Sequence, residues 1–339
     1  RHVWTDDQRL DLQPFSIATQ KQILRHYHPA YTPADLLCLY MLTGGVAKYI
    51  ETLMDEGAFK KERMLTCFTN EYMPFLTEGN DLINMEFRKE GAVYYSILSL
   101  IADGKNTSGE IDSVLGITTS AYLRNLEINY TLLKKMRPIF ASERSKGVKY
   151  KLNDNFLQFW FRFIYPNLDL VENHRSDLLL DIVKKGYDVY SGLVLERYFQ
   201  QKLWEEERFT IIGNWWDSKG ENEIDIVAVN RIDRTARIAE VKINRNKNIY
   251  AGLERKIPKT YRRVKKISDR IYRLLIGGYV RYGIKAFTPL FYGTPISWEI
   301  HNGLQHDTFG IVYQFHRFFQ EPSGIRNLTL GKLHAAFPL

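Results

Sequence analysis

The sequence predicts a multidomain protein of the α+β or α/β class. Three observations support this class. The pattern of residues 12–79 is typical of short helices. Residues 90–155 have the pattern of three helices followed by two strands, and the chain from Gly186 onward has the pattern of helices alternating with strands. A chain of 339 residues is long enough for two or three domains of this kind.

The composition indicates a globular protein with a modest basic excess. Hydrophobic residues make up 45% of the chain, which is ample for packed cores, and the net charge of +8 is compatible with a polyanionic partner. The only cysteines, Cys38 and Cys67, lack metal-ligand spacing, so a reducing cytoplasm is expected. No apolar run reaches the roughly 18–20 residues of a membrane span, and the polar start RHVWTDDQRLD does not resemble a signal peptide.

The first module is predicted to be helical. Asp35 is the predicted N-cap of a helix in DLLCLYMLTGG, which Gly44 and Gly45 terminate. A second helix is predicted in VAKYIETLMDEG, ending at Gly57.

Residues 90–155 predict a winged helix-turn-helix. A helix in GAVYYSILSLIADG is followed by a helix with a Thr107–Glu110 capping box. A third helix is predicted through TTSAYLRNLEINYTLLKKM, where Leu123, Leu126, Tyr130 and Leu133 recur at spacings of three and four, and two strands are predicted in RPIFASERSKGVKYKLND. Such modules lay the third helix in the DNA major groove.

The candidate nucleic-acid contacts lie on the third helix and on the hairpin. The helix offers Thr119, Ser120, Tyr122, Arg124 and Asn125, and the hairpin, or wing, offers Arg144, Lys146, Lys149 and Lys151. Basic side chains beside a polar helix suit phosphate contacts. Winged helices also dock proteins, so DNA and a partner protein both remain candidate ligands.

The aromatic run FLQFWFRFIYP, residues 156–166, is predicted to be core rather than a base-stacking platform, because its apolar density is too high for a surface. A linker helix is predicted over residues 167–185, and GYDVYSGLVLERYFQQKLWEE is predicted as the next helix. Strands are predicted in FTIIGNWW, ENEIDIVAVN and RIAEVKI, and a basic helix at about 250–275. Residues 278–339 show no clear period.

A candidate metal site lies on the last two of these strands. A hairpin turning near residue 233 sets Asp225 close to Glu240, and Lys242 shares a strand face with Glu240. Two carboxylates at this distance suit Mg²⁺, and Lys242 could orient a nucleophilic water. The alternative is a solvated hairpin with an ordinary ion pair. Glu196, on the preceding helix, is a further candidate carboxylate.

This order of residues resembles the PD-(D/E)XK nuclease superfamily. The resemblance implies a nuclease-like α/β domain with a mixed sheet, in which Glu196, Asp225, Glu240 and Lys242 are catalytic and Asp225 and Glu240 bind Mg²⁺.

A longer series of segments resembles the C-terminal two-thirds of a prokaryotic, archaeal-type AAA+ ATPase family with a nuclease-like domain. The matching segments are LQPFS, GGVAKYIE, KLNDNFLQFWFRFIYP, GLVLERYF, IGNWW, NEIDIVAVN and EVK. The implied domains are a helical ATPase lid (1–85), the winged helix (86–166), the nuclease-like domain (167–275) and an unassigned tail (276–339). The 339 residues contain no G-x-x-x-x-G-K-[ST] motif, so ATP is expected to bind only through a more N-terminal domain.

Two functions of different classes are therefore expected. The first is a Mg²⁺-dependent endonuclease that acts on DNA, and the second is a non-catalytic regulatory module that binds nucleic acid or protein. The fragment could also be inert without its ATPase core. The sequence contains neither H-E-x-x-H nor G-x-S-x-G, which weakens metalloprotease and serine-hydrolase assignments, and the oligomeric state is not predicted.

Overall fold

The computed structural model describes residues 12–86, 91–139, 141–145, 147–217, 220, 223–232, 235–242, 298–301 and 311–315. Side chains are outside this description for residues 82–86, 235–240, 242, 298–301 and 311–315. The described chain is a mixed α+β protein with small sheets. Contacts group the described residues through Glu205, together with Val241, Lys242 and Ile311, in one compact unit and the remaining described residues in a second.

Helices occupy the first part of the described chain. They are α1 (Ile17–Tyr27), α2 (Pro33–Thr43), α3 (Ala47–Asp55), α4 (Lys61–Thr69) and α5 (Phe75–Glu86). The predicted N-cap of α2 is wrong, because Thr32 is the cap and Asp35 is the third helical residue of a capping box. Pro33 fits the first helical position, where no N–H partner is needed. Gly44 ends α2 in the left-handed conformation, as predicted.

Three helices and a hairpin follow in the predicted order. They are α6 (Gly91–Ala102), α7 (Ser108–Leu115), α8 (Ser120–Ile128), β1 (Leu133–Met136) and β2 (Lys149–Leu152). The capping box of α7 is confirmed, since Thr107 Oγ1 accepts from the Glu110 N–H at 3.3 Å and the Glu110 carboxylate accepts from the Thr107 N–H at 3.0 Å.

The predicted extent of the third helix is wrong. Helix α8 ends at Ile128, and Thr131 has a φ of 54° that a continuing helix cannot accommodate. Residues 133–136 instead form the first strand of the hairpin, with buried Leu133 opposite buried Leu152. The strand predicted in RPIFAS is therefore displaced to LKKM, because cross-strand burial of Leu133 outweighs its helical spacing from Tyr130.

The aromatic run forms the core of the first unit, as predicted. It contains α9 (Asn155–Phe159), a π-helical turn (Trp160–Ile164) and a 3₁₀ turn (Tyr165–Asn167). Trp160 is completely buried and donates its indole N–H to the Leu76 carbonyl at 3.0 Å. A Cβ on Gly79 would lie 2.2 Å from this indole, so the core requires glycine there.

A short helix, α10 (Leu168–Glu172), leads to the 30-residue helix α11 (Ser176–Glu205). The predicted break near Gly186 is wrong, because Gly186 lies inside α11, where a Cβ would come within 2.6 Å of the Phe163 ring. The predicted domain boundary at residue 167 precedes α11, and contacts group α11 with the first unit. None of the helices in the described ranges is both long and apolar enough to cross a membrane.

After α11 the described chain forms a five-stranded sheet in the order β3-β4-β5-β7-β6. Its strands are β3 (Ile211–Trp216), β4 (Glu223–Asn230), β5 (Thr235–Lys242), β6 (Trp298–His301) and β7 (Ile311–Phe315). The predicted strands β3–β5 are confirmed, whereas β6 and β7 lie where no assignment was predicted. Every pair with a described register is antiparallel. The helix predicted at 250–275 lies outside the described residues.

Candidate functional site

The β4–β5 hairpin brings Asp225 and Glu240 to corresponding positions. The two strands pair from Asn230 with Thr235 to Ile226 with Ala239, and continuing this register by one residue sets Asp225 opposite Glu240. The last described pair before the hairpin turns is Asn230 with Thr235, so the chain reverses where the sequence predicts the turn. Lys242 is the last residue of β5, two positions beyond Glu240. The side chains of Glu240 and Lys242 lie outside the described part of the structure.

A β-bulge lies at Asp225 on the other side of β4. Gly213 pairs with Val227 and Trp215 with Ile224, so Asn214 alone opposes both Asp225 and Ile226. The Asn214 amide donates to the Asp225 backbone carbonyl at 2.7 Å. Bulges disrupt the ladder and redirect side chains, and they are frequent beside active sites. Sequence analysis did not assign a role to Asn214, and no pattern in NWW marks the bulge.

Asp225 is only 6% exposed, within a strand that is buried from Ile224 to Asn230. Asp217, just beyond β3, is also buried, at 4% exposure, and was not among the predicted site residues. Burying a carboxylate is costly unless protein donors or a cation compensate for its lost hydration. Among the described side chains no three His, Cys, Asp or Glu residues are grouped to hold a metal, and Glu240 is not one of those side chains.

Glu196 lies on a helix, as predicted, but in a different compact unit from Asp225. Its described environment is the wing, where its charge raises the pKa of Lys151. Burial, together with the neighbouring cations Arg197 and Lys134, outweighs this effect and lowers the pKa of Lys151 to about 7. Lys134 faces Lys151 directly across the hairpin. The wing therefore has a positive potential where it meets α11.

Arg197, which sequence analysis left without a role, joins the wing to α11. Its guanidinium donates to the Leu152 carbonyl at 2.6 Å and to Asn155 Oδ1. It also lines a pocket of about 310 Å³ in the first unit, together with Gln13, Gly44, Asp154 and Gln201. Four of the segments that resemble the ATPase family therefore meet here, although the chain separates them widely.

Two of the predicted DNA contacts on α8 are engaged within the protein. The Tyr122 ring packs edge to face against Tyr94, with ring centroids 5.3 Å apart. The Asn125 amide donates to the Tyr94 hydroxyl at 3.1 Å and accepts from Asn129 at 2.9 Å. Arg124 is exposed on the same helix. The outer surface of α8 thus has one exposed cation and few side chains that are free to read bases.

The remaining contacts divide between the start of α8 and the wing. Thr119 was predicted to be exposed, which is wrong, because it is fully buried and its N–H donates to the Asp112 carboxylate at 2.8 Å. Arg144 is exposed and Lys149 is half-buried opposite Met136. Lys146 lies outside the described residues.

Comparison with known proteins connects this chain to others whose function is not defined. A family model, DUF234, described as "Archaea bacterial proteins of unknown function", matches residues 160–253, which include Glu196, Asp225, Glu240 and Lys242. The chain is similar to the uncharacterized protein MJECL04 of Methanocaldococcus jannaschii, with 32% identity over 232 residues, or 65% of this chain and 50% of the relative. It therefore spans about half the length of that relative. No solved structure matches.

Proposed function

We propose that the chain acts on DNA as part of an AAA+-type ATPase, with a Mg²⁺-dependent nuclease-like site on β4 and β5 and a DNA-binding winged helix formed by residues 91–152. One observation carries the catalytic proposal. A buried aspartate lies at a β-bulge, and the register of the hairpin sets it opposite Glu240 on the strand that ends in Lys242.

The donor set fits a magnesium ion. Asp225 and Glu240 supply the hard carboxylate oxygens that Mg²⁺ prefers, and water and substrate phosphate commonly complete its coordination. A cation there would also offset the cost of burying Asp225 and of opposing two carboxylates across a strand pair. Bound Mg²⁺ supplies Lewis-acid stabilisation of the phosphate charge.

The residues of the chain have separable tasks in phosphodiester hydrolysis. Lys242 holds the attacking water and stabilises negative charge as the water oxygen bonds to phosphorus. The bond to the leaving oxygen then breaks, the water proton passes to solvent, and the leaving oxygen takes up a proton from solvent to become a hydroxyl. The bulge at Asp225 fixes the backbone of the metal-binding strand through the Asn214 amide. Glu196 has an auxiliary role that rests on its position in the sequence motif.

The winged helix contributes affinity for the phosphate backbone more than base readout. Arg124 and Arg144 are exposed, while Tyr122 and Asn125 are engaged with Tyr94. Phosphate contacts fix the position of a protein on DNA without reading its sequence. ATP would act through a segment outside these 339 residues, and the buried free thiols of Cys38 and Cys67 suit the cytoplasm.

The catalytic proposal is tested by incubating the chain with plasmid and single-stranded DNA in Mg²⁺ or Mn²⁺. Cleavage should stop with a chelator and fall at least about 100-fold in Asp225→Asn, Glu240→Gln and Lys242→Met, a loss typical of removing one charge-stabilising group. Asp55→Asn is the control, since Asp55 is an exposed carboxylate at the end of α3 and lies in the other compact unit.

Two outcomes would contradict this assignment. Cleavage that survives Asp225→Asn and Lys242→Met would exclude these residues from catalysis. DNA binding without turnover, unaffected by a chelator, would support the non-catalytic regulatory module instead. A steep fall of affinity with salt would then identify phosphate contacts rather than protein docking.

A further inference from the structure

Helix α11 carries a row of exposed apolar side chains that the first unit does not cover. Leu178 is 38% exposed, Ile182 36%, Val189 62% and Leu193 47%. At 3.6 residues per turn, these four positions fall within an arc of about 60°. We call them the apolar stripe. A row of apolar side chains on one face of a helix is typical of a surface that packs against another element.

Gly192, beside the stripe, supports the same conclusion. A glycine inside a helix lowers its stability relative to alanine, so it is usually retained where something approaches closely. For Gly186 that neighbour is Phe163, which would lie 2.6 Å from an added Cβ. For Gly192, an added Cβ would meet none of the described residues within 4 Å. Packing against the described part of the chain therefore does not account for this glycine, whereas close approach by a second helix would.

The spacing of the stripe indicates what covers it. The intervals between its four members are four, seven and four residues, which read the same from either end. Two copies of α11 in antiparallel orientation, related by a two-fold axis near Lys185 and Gly186, would set Leu178 opposite Leu193 and Ile182 opposite Val189. A two-fold interface requires this kind of self-complementary pattern.

The charges beside the stripe obey the same symmetry. Asp181, Lys185 and Asp188 are exposed along one flank of the stripe. In the antiparallel arrangement this flank of each copy lies on the same side. Each Lys185 then falls between two carboxylates of the other copy, about 3 Å along the axis from Asp188 and about 7.5 Å from Asp181 at 1.5 Å per residue. These four carboxylates offset the repulsion between the two lysines near the axis.

We propose that α11 is a homodimerisation surface, in which the apolar stripe packs against the same stripe of a second copy in antiparallel orientation. Stable interfaces bury about 800 Å² per partner, and a stripe of 16 residues, about 24 Å long, supplies less than this. The dimer is therefore weak and forms in a concentration-dependent equilibrium.

Sedimentation velocity of the 339-residue chain over a range of concentrations tests the proposal. The dimer fraction should rise with concentration, and Ile182→Asp should weaken the dimer at least tenfold. Ile232→Asp is the control, because Ile232 is 83% exposed in the second unit. A chain that stays monomeric at all concentrations would overturn the proposal and would leave the stripe to another partner. A dimer that Ile182→Asp does not weaken would also overturn the proposal, provided that circular dichroism shows that the variant folds.

Cysteine cross-linking tests the orientation. An Ile182→Cys chain mixed with a Val189→Cys chain should form a mixed disulfide, whereas either variant alone should not cross-link. Both native cysteines are buried and should not interfere. Cross-linking of Ile182→Cys with itself would indicate a parallel pair and would contradict the two-fold arrangement.

Gly192→Ala separates the two explanations of the glycine. The alanine should raise the midpoint of thermal unfolding of the monomer, because an added methyl group meets no atom of the residues that the structure describes. The same substitution should weaken the dimer several-fold if a partner helix approaches there. An unchanged dimer would remove Gly192 from the interface and count against close helix packing.

Discussion

Each compact unit buries an aspartate side chain, but the surroundings of the two side chains differ. Asp35 in the first unit is 4% exposed, and Asp225 in the second is 6% exposed. The Asp35 carboxylate accepts from the Thr32 N–H, the Thr32 hydroxyl and the Lys61 N–H, each at 2.7 Å. It lies in the first turn of α2, where the helix dipole also favours negative charge.

Asp225 does not lie at a helix terminus. It lies within a strand, at a bulge, one register step from a second carboxylate position. A buried carboxylate that caps a helix has a structural role. A buried carboxylate at a bulge within a strand is instead a candidate for catalysis. Equal burial therefore does not imply equal roles, and substitutions at the two positions should have opposite consequences.

The largest expected difference is in catalysis. Asp225→Asn keeps the size of the side chain but removes its charge, so we expect cleavage to fall at least about 100-fold. The free energy of unfolding should change far less than in Asp35→Ala, because the amide has the same shape as the carboxylate and keeps a carbonyl acceptor. Cleavage rates and urea unfolding of one preparation measure both effects. A large loss of stability would instead make Asp225 structural, like Asp35.

The converse result is expected at Asp35. Asp35→Ala removes half of a capping box and leaves the Lys61 N–H without its acceptor, so the free energy of unfolding should fall by about 2–3 kcal/mol. Cleavage per folded molecule should not change. Asp55→Ala, at the exposed end of α3, is the matched control for urea denaturation. If Asp35→Ala lowered the free energy of unfolding no more than Asp55→Ala does, the capping box would add little to stability.

Lys151 is a test case within the first unit, because its charge is disfavoured there. Its pKa is lowered to about 7 by burial and nearby cations, against 10.5 for an ordinary lysine. The unfolded chain therefore binds more protons between these values, and stability should rise with pH across that window by up to about 1.4 kcal/mol per pH unit. Lys151→Met should remove this increment. Thermal unfolding of the wild-type chain and of Lys151→Met from pH 6 to 10 measures this increment. If the stability of both proteins changed with pH in parallel, the lowered pKa of Lys151 would be refuted.

The smallest expected effects are on DNA binding. Replacing Arg144 and Lys149 with alanine should lower affinity several-fold and reduce the salt slope by about 2, one for each lost phosphate contact. Asn125→Ala should change affinity less than twofold, because its amide is bonded to Tyr94. Fluorescence anisotropy at several salt concentrations measures the DNA affinity and the salt slope of both variants. A dominant effect of Asn125 would favour base readout by α8.

Local patterns in the sequence predicted much of this fold. The Thr107–Glu110 capping box marked the start of α7, and the turn after β4 set Asp225 near Glu240. The periodicity of Tyr130 and Leu133 failed, because four residues at helical spacing also fit a turn followed by a strand. The bulge could not be predicted, since β4 is buried on both faces and its apolar pattern hides an inserted residue. Arg197 was missed because its partners are more than 40 residues away.

The two bonds of Arg197 also have a mechanical consequence. They attach the residues on either side of Asn153 and Asp154, the short joint between the hairpin and the aromatic core. That joint cannot swing open without breaking both bonds. The wing is therefore fixed to α11, and a force applied to the wing would be transmitted to the whole helix instead of bending a loop.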